Sequence, residues 1–92
     1  MHITIRSYAG STALADTMTA KASDVKELVS TVTGFIAYYA VRDGDKMTSV
    51  TVCQDKTGTD ESTRRAAGWV KENVPGGVAP PRITEGDTFV QF

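Results

Sequence analysis

The 92-residue sequence predicts an α+β fold, in which helices pack against one antiparallel sheet. Short segments with alternating apolar and polar residues indicate strands, and longer segments with apolar residues three and four apart indicate helices. A glycine-containing turn between two strand-like segments also indicates a hairpin. With 40% hydrophobic and 23% charged residues, the composition is typical of a single small globular domain spanning residues 1–92.

The first strand and the first helix follow from residue periodicity. The segment "HITIRS" alternates apolar and polar residues, which predicts a half-buried strand. Between Ser11 and Val32 the apolar residues form one helical stripe, so a helix is expected there. Ser23 followed by Asp24 resembles a new helix N-cap, which predicts a break in the helix at that point.

The second half contains a hairpin, a helix and a final strand. "GFIAYYAVRDGDKMTSVTVCQ" has two β-rich runs on either side of Asp43 and Gly44, which we take as the turn. In "KTGTDESTRRAAGWVKENVPGG" a helix is expected to begin at an N-cap Thr59 and to end before Pro75. The last strand is "DTFVQF", or a longer "RITEGDTFVQF" bent at Gly86.

The resulting order, β-α-β-β-α-β, predicts the ferredoxin-like fold, a four-stranded antiparallel sheet with both helices on one face. We expect the helices to cover the face with the most apolar residues, Ile3, Ile5, Phe35, Val50, Val52 and Phe89. The other face would carry Arg6, Ile36, Tyr38, Met47, Ser49 and Thr51. This second face has little charge, so it predicts a homodimer, in which Arg6 would pair with a carboxylate or a chain terminus. Alternatively, scattered exposed apolar residues need no partner.

Charge and cysteine content exclude several classes of partner. The net charge of −1 gives no basic surface for nucleic acid or an anionic membrane, and no apolar run is long enough to span a bilayer. The single cysteine, Cys53, cannot form an internal disulfide and has no second cysteine at metal-site spacing. We therefore expect a cytoplasmic protein with no metal site.

Four segments, "GFIAYYAV", "SVTVCQD", "ESTRRAAGWVKENV" and "ITEGD", resemble the dimeric α/β-barrel superfamily, and within it small bacterial relatives of the antibiotic biosynthesis monooxygenase group. The resemblance implies two ferredoxin-like sheets packed face to face, with a ligand cleft between each sheet and its helices. Some members oxidise aromatic polyketides or degrade haem without the usual flavin or metal, so no cofactor is expected. The Asn-Trp-His group of haem-degrading members is not present, because the only asparagine is Asn73 and the only histidine is His2.

Three residues are candidates for ligand binding, and no catalytic residue can be assigned. The resemblance implies that Trp69 lines the cleft, although a large ring on a small helix is also a normal core residue. It also implies Tyr39 as a pocket hydroxyl, expected opposite Thr48 on the helix-covered face. Arg65 lies four residues before Trp69 and could bind an acid group at the pocket rim, or could simply face solvent.

Two classes of function remain. RNA recognition requires aromatic residues on the two central strands, "HITIRS" and "MTSVTVC", which have none. We favour a ligand-binding or structural module for a small hydrophobic or aromatic metabolite. The alternative is a cofactor-independent monooxygenase that acts on an aromatic or polyketide-like substrate, and the sequence leaves open whether the protein is an enzyme.

Overall fold

In the residues that the computed structural model describes, 1–10 and 12–92, four strands and three helices follow one another along the chain. They are β1 (His2–Tyr8), α1 (Ala13–Ala20), α2 (Ala22–Ser30), β2 (Phe35–Asp43), β3 (Lys46–Cys53), α3 (Lys56–Asn73) and β4 (Arg82–Asp87). The strands form one antiparallel sheet in the order β2-β3-β1-β4. The predicted ferredoxin-like fold is therefore confirmed, with the first helix divided into two.

The division of the first helix lies at Lys21, two residues before the predicted break. Lys21 has φ −117° and ψ 36°, which interrupts the helix between α1 and α2. Its ammonium group donates a hydrogen bond of 2.8 Å to the side chain of Asn73 at the end of α3. The predicted helix start, Ser11, lies outside the described residues.

The hairpin between β2 and β3 turns one residue later than predicted. Asp43 pairs with Lys46, which leaves Gly44 and Asp45 as the two turn residues. Gly44 has φ +61° and Asp45 has no positive φ, so the backbone fits a type II′ turn, which favours glycine at its first central position. As a result Tyr39 pairs with Val50 instead of Thr48.

The helix α3 begins four residues earlier than its predicted N-cap allows. Asp55 is the N-cap, and its carboxylate accepts a hydrogen bond of 3.2 Å from the backbone N–H of Gly58. Thr59, the predicted cap, is instead fully buried inside the helix. The final strand corresponds to the first part of the longer alternative and ends at Asp87, so "DTFVQF" is not a strand.

The helices cover the opposite face of the sheet from the one predicted. Met47, Ser49 and Thr51 are buried beneath the helices, and Met47 belongs to the core with Leu14, Ala15 and Val74. The expectation that this face forms a dimer interface was therefore wrong. The uncovered face, called the open face below, carries Ile3, Ile5, Ala37, Tyr39, Val41, Val50 and Val52.

None of the helices in the described part of the chain is both long enough and apolar enough to cross a lipid bilayer.

Candidate functional site

The most unusual residue beneath the helices is Arg6, whose side chain is only 2% exposed. Its Nη1 donates a hydrogen bond of 3.1 Å to the hydroxyl of Thr63, and its Nη2 donates one of 3.3 Å to the hydroxyl of Thr51. Both acceptors are neutral, and no carboxylate of the described residues forms an ion pair with Arg6. The expected pairing of Arg6 with a carboxylate is therefore not found in the described chain.

Two buried polar atoms close to this point lack hydrogen-bond partners among the described residues. They are Nε of Arg6 and the hydroxyl oxygen of Ser49. The two residues lie directly opposite each other on the adjacent strands β1 and β3. Buried polar groups are nearly always paired in folded proteins, so these two atoms on neighbouring residues retain hydrogen-bonding capacity that the described residues do not use.

Two tyrosines lie on the same face of the sheet as Arg6. Burial raises the pKa of Tyr8, and the positive charge of Arg6 acts in the opposite direction. Burial likewise raises the pKa of Tyr38, again opposed by the Arg6 charge. Both phenols therefore remain protonated at neutral pH and can donate hydrogen bonds to a ligand.

A narrow space, called the central cleft below, separates the helices from the sheet. It has a volume of about 20 Å³, enough for roughly one water molecule. Arg6, Tyr8, Tyr38, Ser49 and Trp69 contribute to its lining, together with apolar residues of α1, α2 and α3.

A larger space, called the proline chamber below, opens between α3 and the chain that leads into β4. It has a volume of about 460 Å³. Arg6 and Tyr8 line it as well as the central cleft, so these two residues lie where the two spaces adjoin. The remaining walls are mainly apolar and include Ala67, Val70, Val78, Pro80, Pro81 and Ile83.

Trp69 is the one predicted ligand-binding residue that the structure places at the cleft. It is half-buried, it packs against the core that contains Leu14 and Met47, and it borders the central cleft. Both the core interpretation and the cleft interpretation of this residue are therefore consistent with its position. Its role in ligand binding stays a prediction.

Tyr39 and Arg65 lie away from the central cleft. Tyr39 is 62% exposed on the open face, so its expected position beneath the helices was wrong. Arg65 donates hydrogen bonds of 2.9 Å to the carbonyl oxygen of Leu28 and 2.8 Å to the hydroxyl of Thr31, and it also pairs with Glu61. Arg65 therefore ties α3 to the end of α2, and the structure does not bring the three predicted residues together.

Sequence reasoning missed Arg6 as a member of the cleft, although one signal was available. Strand alternation groups Arg6 with Tyr38, Ser49 and Thr51, and the structure confirms this grouping. The group was predicted to lie on the uncovered face of the sheet, whereas it lies beneath the helices. No cluster of three or more His, Cys, Asp or Glu side chains suited to a metal ion occurs among the described residues.

Comparison with protein-family models finds no match, and comparison with curated proteins finds none either. Solved structures do match. A monooxygenase from the gene ActVA-Orf6 of Streptomyces coelicolor, in complex with the ligand nanaomycin D, is 13% identical with a TM-score of 0.72, over 99% of this chain and 89% of that one.

Two further solved structures agree with the first. An antibiotic biosynthesis monooxygenase is 12% identical with a TM-score of 0.65, over 98% of this chain and 100% of that one. A protein of unknown function from Nitrosomonas europaea is 19% identical with a TM-score of 0.70, over 99% of this chain and 90% of that one. At these identities the likeness establishes the fold, which is that of the antibiotic biosynthesis monooxygenases, and does not by itself establish an activity.

Proposed function

We propose that this protein binds a small hydrophobic or aromatic metabolite in the proline chamber. The observation that carries the proposal is the chamber itself, a space of about 460 Å³ with mainly apolar walls and a few polar groups at its inner end. Small-molecule sites have this composition, since apolar walls bury the ligand and a few polar groups orient it.

Each wall of the chamber has a role in this binding. Val70 and Val78 offer apolar contact surface, and Pro80 and Pro81 are stiff residues that keep the wall in place. Tyr8 and Arg6 supply the polar inner end, and Trp69 lies beyond them in the central cleft. A hydrophobic or aromatic compound therefore matches the composition of the space.

The fluorescence of Trp69, the only tryptophan in the sequence, reports on binding from the adjoining central cleft. We expect a series of one-, two- and three-ring aromatic compounds to include members that change this fluorescence saturably. Ala67 lines the chamber, so Ala67→Phe should fill part of it and weaken binding by about tenfold or more, through overpacking.

The matched control is Ala20→Phe, because Ala20 is exposed at the end of α1 and borders neither the central cleft nor the chamber. This variant should bind with the affinity of the unmodified protein. If no compound of the series alters the fluorescence, or if Ala67→Phe binds as tightly as Ala20→Phe, the proposed site is wrong.

A second candidate is a cofactor-independent monooxygenase, favoured by structural neighbours that are named monooxygenases, one of them in complex with nanaomycin D. A dry cleft would suit an electron-rich substrate that reacts with oxygen as its anion. No Asp, Glu or His is among the described lining residues of the central cleft or the chamber, so no carboxylate or imidazole there could act as the general base. Oxygen uptake with hydroxynaphthalenes would separate this enzyme from a binding protein.

The proposal includes a homodimer formed through the open face, and a cytoplasmic location. Tyr39 and Val41 are 62% and 59% exposed on that face, beside the half-buried Ile3, Ile5 and Val50. Apolar side chains in this number on one side of a sheet favour a covering partner. A second copy of the chain offers the same apolar surface in return, as a symmetric dimer requires.

A further inference from the structure

We infer that the ligand of the proline chamber carries an anionic oxygen, a carboxylate or a phenolate, and that Arg6 is the residue that binds it. The inference rests on the proposed function and names the chemical class of its ligand. It starts from the unusual state of Arg6, which is 2% exposed, donates hydrogen bonds to the neutral hydroxyl groups of Thr63 and Thr51, and pairs with no carboxylate of the described residues.

A buried guanidinium without an anion is unfavourable, because desolvation of the charge is not offset by an opposite charge. A hydroxyl group accepts a hydrogen bond but does not neutralise the arginine. The Nε atom is buried and has no acceptor among the described residues. A ligand oxygen with a full negative charge would supply both the acceptor and the missing charge.

The surroundings of Arg6 accept an anion. The described residues that line the central cleft and the proline chamber include no Asp or Glu, so nothing there would repel a negative ligand. The hydroxyl of Ser49, which lies opposite Arg6 on the neighbouring strand, lines the central cleft and is also neutral. Lys71 lines the chamber on α3 and adds a second positive charge at an exposed position.

Pairs of compounds that differ only in charge test the inference directly. We would measure the affinities of benzoate, 2-naphthoate and 2-anthracenecarboxylate beside those of their neutral amides, by calorimetry with the full chain. At least one acid should bind about tenfold or more tightly than its amide, since charge-assisted hydrogen bonds are markedly stronger than neutral ones. Equal affinities of acids and amides would overturn the inference and leave the proposed function standing, whereas absence of binding by every compound would overturn both.

The variant Arg6→Met separates a ligand-binding arginine from a structural one. Methionine fills the buried position with an unbranched side chain but has no charge and no N–H donor, so the preference for the acid should disappear. The melting temperature of the ligand-free variant should equal or exceed that of the unmodified protein, because an uncompensated buried charge has been removed. A clearly lower melting temperature would show that Arg6 stabilises the fold and would overturn the inference.

The control is Arg64→Met, because Arg64 is exposed on α3 and pairs with Glu61 away from both spaces. This variant also removes one positive charge from the protein, so it corrects for any effect of net charge. It should retain the full preference for the acid. If Arg64→Met lost the preference as completely as Arg6→Met, the specific role of Arg6 would be refuted.

Discussion

At Gly58 the helix α3 packs closely against Cys53 at the end of β3. A Cβ atom at this position would lie 2.8 Å from Cβ of Cys53 and 3.0 Å from the carbonyl oxygen of Thr33. A carbon–carbon contact of 2.8 Å is well inside the van der Waals distance, so the absence of a side chain at Gly58 allows the helix to pack where it does. Cys53 is fully buried by this contact, and burial raises the pKa of its thiol, which keeps it protonated and unreactive.

We therefore expect Gly58→Ala to destabilise the protein by about 1–3 kcal/mol, because the added methyl group must displace α3 or the strand. Gly68 supplies a matched control in the same helix, since a Cβ atom there would meet nothing within 4 Å. Gly68→Ala should stabilise the protein by up to about 1 kcal/mol through helix propensity alone. Urea unfolding of the two variants measures both effects, and a neutral or stabilising Gly58→Ala would contradict the close packing.

For Arg6, the sequence predicted which strand residues share its face of the sheet, but it did not predict that the helices bury that face. Alternation along a strand places Arg6 with Ser49 and Thr51 whatever lies above them. The depth at which Arg6 is buried depends on α1, α2 and α3, which are distant in sequence. Tyr39 illustrates the same limit, because its parity was correct and only the assignment of helices to its face was wrong.

At the level of elements, a cluster around His2 joins the two strands β1 and β4. One ring nitrogen of His2 lies 3.0 Å from the carboxylate of Asp87, and the other lies 3.0 Å from that of Glu85. The hydrogen bonds to Asp87 and Glu85 raise the pKa of His2, and the hydrogen bond from His2 lowers the pKa of each acid. Lys56 at the start of α3 also pairs with Glu85, so the cluster links three elements.

The stability of the protein should therefore depend on pH through His2. Since its pKa is raised on folding, its contribution is complete below the ordinary value of 6.5 and is lost as the pH rises through the folded pKa. The pKa values of Glu85 and Asp87 are lowered on folding, so the stability that these carboxylates contribute is lost only at acidic pH, below their ordinary pKa values of 4.5 and 3.8. Between these limits the cluster contributes most.

The variant His2→Gln tests this dependence, because glutamine keeps polar atoms but cannot take a proton. Urea midpoints measured from pH 4 to pH 9 should fall on the alkaline side for the unmodified protein and stay flatter for the variant. Parallel curves for the two proteins would show that His2 does not carry the pH dependence.

The order and type of the elements were predictable because periodicity is a local property. The first and last residues of each element were less predictable, because they depend on single contacts. The N-cap of α3 is Asp55 and not Thr59, a choice decided by the hydrogen bond to Gly58 and by burial of the helix start against Cys53. The hairpin moved by one residue because a type II′ turn prefers glycine in its first central position.

At the scale of the whole molecule, the sheet has a more polar and a more apolar face, and helices are usually expected to cover the more apolar one. The helices lie on the more polar face, because α3 presents small and polar residues to it. Gly58, Thr59 and Ser62 are all buried, and the hydroxyl of Ser62 donates to that of Thr51 at 3.4 Å. The side chains of α3 thus match the polar strand residues, and the sequence pattern of the helix could have indicated the covered face.

The reversal leaves the more apolar face uncovered in the single chain, and the chain's last residues add to it. Phe89 and Val90 line a depression on this side together with Ile3 and Ile5, and Phe89 is 95% exposed. Val50 occupies a central position, since it pairs with Ile5 on one side and with Tyr39 on the other. We therefore expect the protein to form a dimer at micromolar concentration, with Val50 buried between the two copies.

The variant Val50→Glu should convert this dimer to a folded monomer, because dimerisation would bury an unpaired carboxylate whereas the single chain leaves it in contact with water. Ser23→Glu adds the same charge on the exposed side of α2 and should remain dimeric. Met47→Glu should instead unfold the protein, because Met47 belongs to the core beneath the helices. Light scattering and circular dichroism on the three variants distinguish loss of dimer from loss of fold. A monomeric unmodified protein, or a Val50→Glu variant that remains dimeric, would mean that the open face is not the interface.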